Sequence, residues 1–295
     1  MNVTLLQGRL GNQLFQYAYS RAQYFNTGKK SILSEASLRI HNIENRLDCF
    51  VLSPNVEFIK IHSLTFFQRQ SLSMYSRFID SQNRSDKYAI EKKMRDLFLK
   101  SGIFVCENGF IEPPKEKRRN ILNIGYFQSE AYFESYKNLI LEELQFKDCI
   151  KNSVKDLAER IISSVEPTCL HIRLGDYVKN PLHGLLDASY YRRAISKLRK
   201  LKPNATLFLF SDNVELVKQE LGLDDVFYIP AEIDEQQTMY LGSLCHNFVI
   251  SNSSFSWWMQ YLSRKEERLV IAPSRWYAQP CPCDIYQKSW VLIDA

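Results

Sequence analysis

TLFLFSDNVELVKQELGLDDVFYIPAEIDEQQTMYLGSLCHNFVI, residues 206–250, alternates short apolar runs with amphipathic stretches. Residues 206–210, 226–228 and 248–250 are too short for helices and are bounded by turn residues, which predicts buried strands. Between them, residues 214–221 and 235–245 space their apolar side chains as helices do. Strands joined through helices pair in parallel, and the helices cover both faces of such a sheet.

The same rhythm extends outward. A strand over 168–173 and a helix over 189–201 precede this stretch, and a helix over 255–262 and a strand over 269–271 follow it. Further upstream the pattern predicts a strand over 121–124 and helices over 132–144 and 152–162. At the start, a strand over 3–6 runs into a glycine turn and a helix over 12–25, which Asn12 can cap and Gly28 can end. Residues from about 35 to 120 have no clean period. The reading is an α/β protein of two halves, residues 1–165 and 166–295, with a cleft between them.

Bulk properties narrow the function. At 295 residues and 45% hydrophobic, each half can hold its own core. Aromatic residues make up 13% and leave rings to stack on bases or sugars. The net charge of +5 favours anionic partners, phosphates and acidic headgroups included, yet a solvated lysine-rich surface explains it equally. No basic run is dense enough to track nucleic acid. The seven cysteines are odd in number and scattered, as reduced thiols in a cytoplasmic protein would be. The first residues do not read as a signal sequence, and no apolar run of about 18 residues predicts a membrane span.

Ligands of doubly wound sheets bind beyond the carboxyl ends of the strands, and four segments stand there. Gly8–Gln13, GRLGNQ, pairs two glycines with a helix start, which suits either a plain turn or an anion cradle. It is neither a P-loop nor the dinucleotide fingerprint. In 171–177, HIRLGDY, His171 and Arg173 share one strand face and Asp176 lies just past the strand end. Arg173 can grip a phosphate, or pair with Asp176 in a purely structural bridge. Asp212 and Asn213 can cap the next helix, or Asp212 can accept from the N1–H and N2–H₂ edge of guanine. In 251–258, SNSSFSWW, hydroxyls and free N–H groups make an anion site, while Trp257 and Trp258 suit the core.

Together these segments resemble the bacterial α-1,2-fucosyltransferases. The resemblance rests on GRLGNQLFQYA at the start, GYFQSEAYF at 125–133, HIRLGDYV at 171–178 and FSDN at 210–213. It continues through MYLGSLC and SNSSFSWW within 239–258 and IAPSRWY at 271–277. It implies a GT-B-like arrangement of two Rossmann-like domains, the second binding GDP-fucose and the first on the acceptor side. It further implies inverting transfer of fucose to the 2-hydroxyl of a terminal β-galactoside in an oligosaccharide.

By the same resemblance Arg173 would hold the β-phosphate, and His171 and Asp212 would contact guanosine. Gly11, Asn12, Ser253, Ser254 and Phe255 would line the diphosphate pocket. Asp176 is the candidate general base. Such enzymes have no metal-binding Asp-x-Asp, and the sequence contains none, so neither metal nor cofactor is expected. The expected location is the cytoplasm, with peripheral association at the inner membrane face compatible with the charge. Two departures from the family pattern stand out: Leu174 replaces a second arginine, and Met259 replaces a small residue. Another linkage, a protein acceptor, or a non-catalytic nucleotide-sugar-binding protein are the alternatives.

Overall fold

The computed structural model describes residues 2–79, 84–115, 120–173 and 186–295, which form two compact units. Unit 1 holds the chain up to Gln145 together with Pro280–Tyr286. Unit 2 holds Phe146–Gln279 and Gln287–Ala295.

In unit 1, β1 (Asn2–Leu5), α1 (Leu10–Thr27), β2 (Ser31–Ser34), α2 (Ala36–Ile40) and β3 (Val56–Ile59) come first. Then follow α3 (Phe66–Ile79), α4 (Arg84–Lys100), β4 (Ile103–Cys106), β5 (Ile121–Gly125) and α5 (Lys137–Glu143). The strands form one parallel sheet in the order β3-β2-β1-β5-β4. The chain moves outward from β1 to β3, crosses over, and returns to place β5 against β1.

Helix α1 is buried along most of its length and ends at Gly28 in the left-handed region, as the sequence predicts. Its N-cap is Arg9, without a side-chain bond, so Asn12 lies inside the first turn and does not cap it. Tyr19 stacks on Phe127 at 3.9 Å, and the Tyr19 hydroxyl donates to Asn123 Oδ1. Arg21, 2% exposed, meets Glu143 of α5 through Nε and Nη2 at 2.7 and 2.6 Å, and Tyr17 donates to the same carboxylate. A buried ion pair held by a third donor fixes orientation more than it adds stability.

Glu91 on α4 is fully buried and accepts from the Tyr75 hydroxyl at 2.6 Å and from the Glu107 backbone N–H. Burial pushes its pKa up to about 7, with the nearby Glu107 charge adding to the rise. The folded unit therefore holds a proton that the unfolded chain releases near pH 4.5. Its contribution is full below about pH 4.5 and is lost as the pH rises to about 7, by on the order of 3 kcal/mol.

Unit 2 begins with α6 (Asp148–Ser153), which the sequence pattern does not predict, and α7 (Lys155–Ser163), which answers to the helix predicted over 152–162. The sequence reading placed the boundary near 165. The units divide instead after Gln145, because Phe146 packs on Tyr240 and Ser153 bonds Gln237, both on the helix that covers this unit. Next come β6 (Thr168–Ile172), α8 (Ala188–Leu201), β7 (Leu207–Ser211), α9 (Val214–Leu221) and β8 (Val226–Tyr228). The last elements are α10 (Glu235–Ser243), β9 (Asn247–Val249), α11 (Ser254–Leu262), β10 (Val270–Pro273) and β11 (Val291–Ile293).

The sheet order is β11-β10-β9-β6-β7-β8, all parallel. This is the Rossmann order, with its reversal between β6 and β9. Leu170 and Ile172 pack into the core with Tyr190, Ala194 and Leu198 of α8. His171, on the opposite face of the strand, meets α11. Trp257 and Trp258 are fully buried there, as expected. Met259 is buried too, and its Cε lies 2.0 Å from where a Cβ on Gly242 would stand, so this departure seals α10 onto α11.

Candidate active site

The Rossmann reversal leaves a crevice where the chain departs in opposite directions from β6 and β9. Most of the predicted residues of unit 2 stand at that point. His171 is the penultimate residue of β6, and Arg173 follows its last residue. Ser251–Ser253 lie in the connection from β9 to α11, Ser254 and Phe255 open that helix, and Asp212 follows β7.

The loop after β9 is built tightly. Ser253 caps α11 by accepting from the Phe255 N–H at 3.2 Å, while its own N–H donates to the Ser251 carbonyl. Asn252 donates to the Trp276 carbonyl. With no acid in its first turn, α11 presents N–H groups and a positive dipole end to any anion in the crevice. Ser254 is half-buried at this end.

His171 lies beneath the loop. Its Nδ1 faces the Ser256 hydroxyl at 2.5 Å and the Ser251 hydroxyl at 3.2 Å, and those hydroxyls are 2.8 Å apart. Its ring packs on Phe255. Burial drives the imidazole pKa down to about 3, helped by the Arg173 charge. The ring is neutral at physiological pH and joins strand to loop through hydroxyls.

This depression has the opposite linkage to Glu91. The stability it represents is full above about pH 6.5 and is lost as the pH falls toward 3, by on the order of 4 kcal/mol. All four tryptophans lie in unit 2, so their fluorescence follows that unit alone. The urea concentration at the unfolding midpoint, followed by tryptophan fluorescence, should fall as the pH drops below 6, and His171→Gln should flatten that dependence. Hydrogen exchange in unit 1 should instead slow as the pH-corrected scale falls from 7 to 4.5, an effect that Glu91→Gln removes. The same direction in both units would contradict these assignments.

Arg173 is largely buried, and its Nε lies 3.9 Å from Asp212 Oδ2, while its backbone N–H donates to the Tyr191 hydroxyl. Asp212 thus stands beside the guanidinium, which the sequence reading did not foresee. Asn213 performs the helix capping, accepting from the Leu216 N–H. Asp176 and Leu174 lie outside the described residues.

Gly11 and Asn12 belong to unit 1, where the switch point falls between β1 and β5. Gly8 has φ +69°, and a Cβ there would stand 2.4 Å from Asn12 Nδ2. Gln128 Nε2 donates to Asn12 Oδ1 at 2.7 Å. Gln16 accepts from the Gln7 N–H and donates to the Gly125 carbonyl, locking the turn to the end of β5. The predicted residues thus form two groups, one in each unit. Gln16, Gln128 and Tyr191 escaped the sequence reading. Buried glutamines on the inward face of an amphipathic helix were the available signal for Gln16.

Among the described residues no group of three His, Cys, Asp or Glu side chains is arranged to hold a metal ion. Nor is any described helix long and apolar enough to cross a membrane.

Residues 1–294 match the sequence model of Glycosyl transferase family 11. The O-antigen biosynthesis glycosyltransferase WbnK of Escherichia coli is 26% identical, covering 98% of this chain and 99% of the relative. An α-1,2-colitosyltransferase of Escherichia coli is 28% identical, covering 99% and 98%. Among solved structures, the fucosyltransferase NodZ from Bradyrhizobium has a TM-score of 0.54 at 18% identity, covering 88% of this chain and 92% of that one, a likeness of GT-B fold.

Proposed function

This chain belongs to glycosyl transferase family 11, and we propose that it transfers L-fucose from GDP-β-L-fucose to the 2-hydroxyl of a terminal β-galactoside, with inversion. The observation that carries the reading is that Arg173, just past the end of β6, and the capped N-terminus of α11, which follows β9, stand at the ends of the two neighbouring strands where the sheet order reverses. A cationic fork beside free N–H groups suits a diphosphate. In this reading unit 2 binds the donor and unit 1 supplies the acceptor side.

The acceptor oxygen attacks the anomeric carbon as the bond to the β-phosphate oxygen breaks. GDP leaves with added negative charge, which Arg173 and the α11 N–H groups offset without reorganising. Asp212 orients Arg173 and reaches toward guanine. His171 acts as a positioning residue, bracing Ser251 and Ser256 so that Ser253, Ser254 and Phe255 keep their place. Gln128 occupies the Oδ1 of Asn12, which turns Asn12 Nδ2 into the group available to an anion. The hydroxyl proton passes to Asp176. No metal takes part, since fixed positive charge and N–H groups serve the diphosphate.

A second reading, transfer of colitose, is favoured by the colitosyltransferase that matches along nearly the whole chain. Colitose is L-fucose without its 3-hydroxyl. A site that hydrogen-bonds that hydroxyl rejects the deoxy sugar strongly, whereas an apolar site discriminates little. Parallel turnover with GDP-fucose and GDP-colitose on a β-galactoside acceptor decides between them. A kcat/KM favouring GDP-fucose at least about tenfold supports the first reading; a preference for GDP-colitose replaces it with the second.

A further inference from the structure

From Phe58 to Ile79 the chain carries no acidic residue, but it does carry Lys60, His62, Arg69 and Arg77. Within this stretch Ile61, Phe66 and Phe67 are 72%, 64% and 70% exposed. Phe66 and Phe67 open α3, their rings meeting edge to face at 5.8 Å. The first turn of α3 has no acid, so the positive end of its dipole is not offset there. Lys60, Arg69 and Arg77 form no ion pair among the described residues.

The patch widens across the sheet edge. The Glu35 N–H donates to the Ile59 carbonyl, so the entry to α2 and the exit from β3 start from one point. Helix α2 then ends on Ile40, 80% exposed, next to exposed Arg39. The neighbouring acids are engaged: Glu57 pairs with Lys30, and Glu35 accepts from Asn45. Large apolar side chains exposed together mark a contact surface rather than chance.

The charge selects the occupant. A twofold contact with a second copy would set Lys60 and Arg69 against their own duplicates, which repel. A nucleic acid would engage the cations but leave two isoleucines in water. A bilayer with anionic headgroups satisfies both kinds of residue: rings and aliphatic chains enter the headgroup boundary and cations meet phosphates.

We propose that this corner of unit 1 docks on an anionic lipid surface, with Phe66 and Phe67 inserted at headgroup depth and Lys60 and Arg69 on lipid phosphates. The docking corner and the Gly8–Asn12 turn share one end of the sheet, because Leu5, Ser34 and Ile59 are in register.

The test is sedimentation of the full chain with phosphatidylcholine vesicles, with or without phosphatidylglycerol, at low and high salt. The protein should pellet with the anionic vesicles, less so at high salt. Lys60→Glu with Arg69→Glu should lower partitioning by at least about fivefold for each cation removed. Phe66→Ser with Phe67→Ser should lower it at least about tenfold even at low salt. Both double variants should keep the wild-type melting temperature and sugar transfer to a soluble acceptor, because these side chains face solvent. Failure to pellet with anionic vesicles, or equal partitioning of the variants, overturns the proposal. A concentration-dependent dimer dispersed by the phenylalanine substitutions overturns it in favour of self-association.

Discussion

Arg173→Ala should lower kcat/KM for sugar transfer by at least about 100-fold, the loss typical of removing one preorganised charge from a departing group. The side chain is 16% exposed, and Asp212 at 3.9 Å is its ion-pair partner among the described residues. On the proposed reading, truncation removes the guanidinium from the crevice and leaves the α11 N-terminus as the remaining positive end there. Most of the loss should fall on kcat, because charge on the leaving oxygen grows only as the bond breaks.

Arg173→Lys should recover part of the rate but not all, since an ammonium cannot form the bidentate grip. Steady-state kinetics with donor varied at saturating acceptor gives the split. A loss below tenfold for Arg173→Ala would remove Arg173 from the assigned role. In the same assay Asp176→Asn should lower kcat with donor KM nearly unchanged. Near-normal turnover would show that another group takes the proton.

Gly125→Ala should unfold unit 1 or cost it at least about 4 kcal/mol, which puts it among the most severe single substitutions. Gly125 ends β5 with φ +145°, and a Cβ there would lie 1.8 Å from the Cys106 carbonyl oxygen on β4. Backbone cannot yield as a side-chain tip does, so the strands would have to part. The Gly125 carbonyl also accepts from Gln16, so the shift would reach the Gly8–Asn12 turn. Hydrogen exchange of β1 and β5 amides measures the effect. Unit 2, which folds around its own sheet, should keep its tryptophan signal. A variant with normal exchange in β5 would show that the close approach is dispensable.

Unit 2 was legible in the sequence because local and tertiary demands agree there. Helices α8 to α11 begin at Asp187, Asn213, Asp234 and Ser253, each accepting a bond from the first turn. Its central strands are short apolar runs buried on both faces. Residues 35–120 resisted for equally physical reasons. Edge strand β3, VEFI, is partly exposed throughout and carries a glutamate mid-strand. Helix α3 turns Phe66 and Phe67 outward, which spoils the period that a buried face would show. Residues 130–136 form two 3₁₀ turns where the pattern predicted the opening of an α-helix.

The candidate site was legible in position more than in role. Alternation along β6 predicts His171 and Arg173 on one face; the structure holds His171 in the strand and Arg173 one residue past its end, near enough for its charge to help depress the imidazole pKa. Sequence could not tell that His171 would turn its Nδ1 to Ser251 and Ser256, because those hydroxyls lie 80 and 85 residues away. The approach of Asp212 to Arg173 likewise depends on the pairing of β6 with β7, in which Ile172 stands opposite Ser211.

The most direct test of the central claim is product analysis. Purified protein is incubated with GDP-fucose and lactose in EDTA, and any trisaccharide is assigned by NMR linkage analysis. The account predicts an α-1,2-linked fucosyl-lactose, formed at a rate that added Mg²⁺ leaves unchanged. A different linkage, a requirement for the metal, or failure of GDP-fucose to bind at all would contradict it.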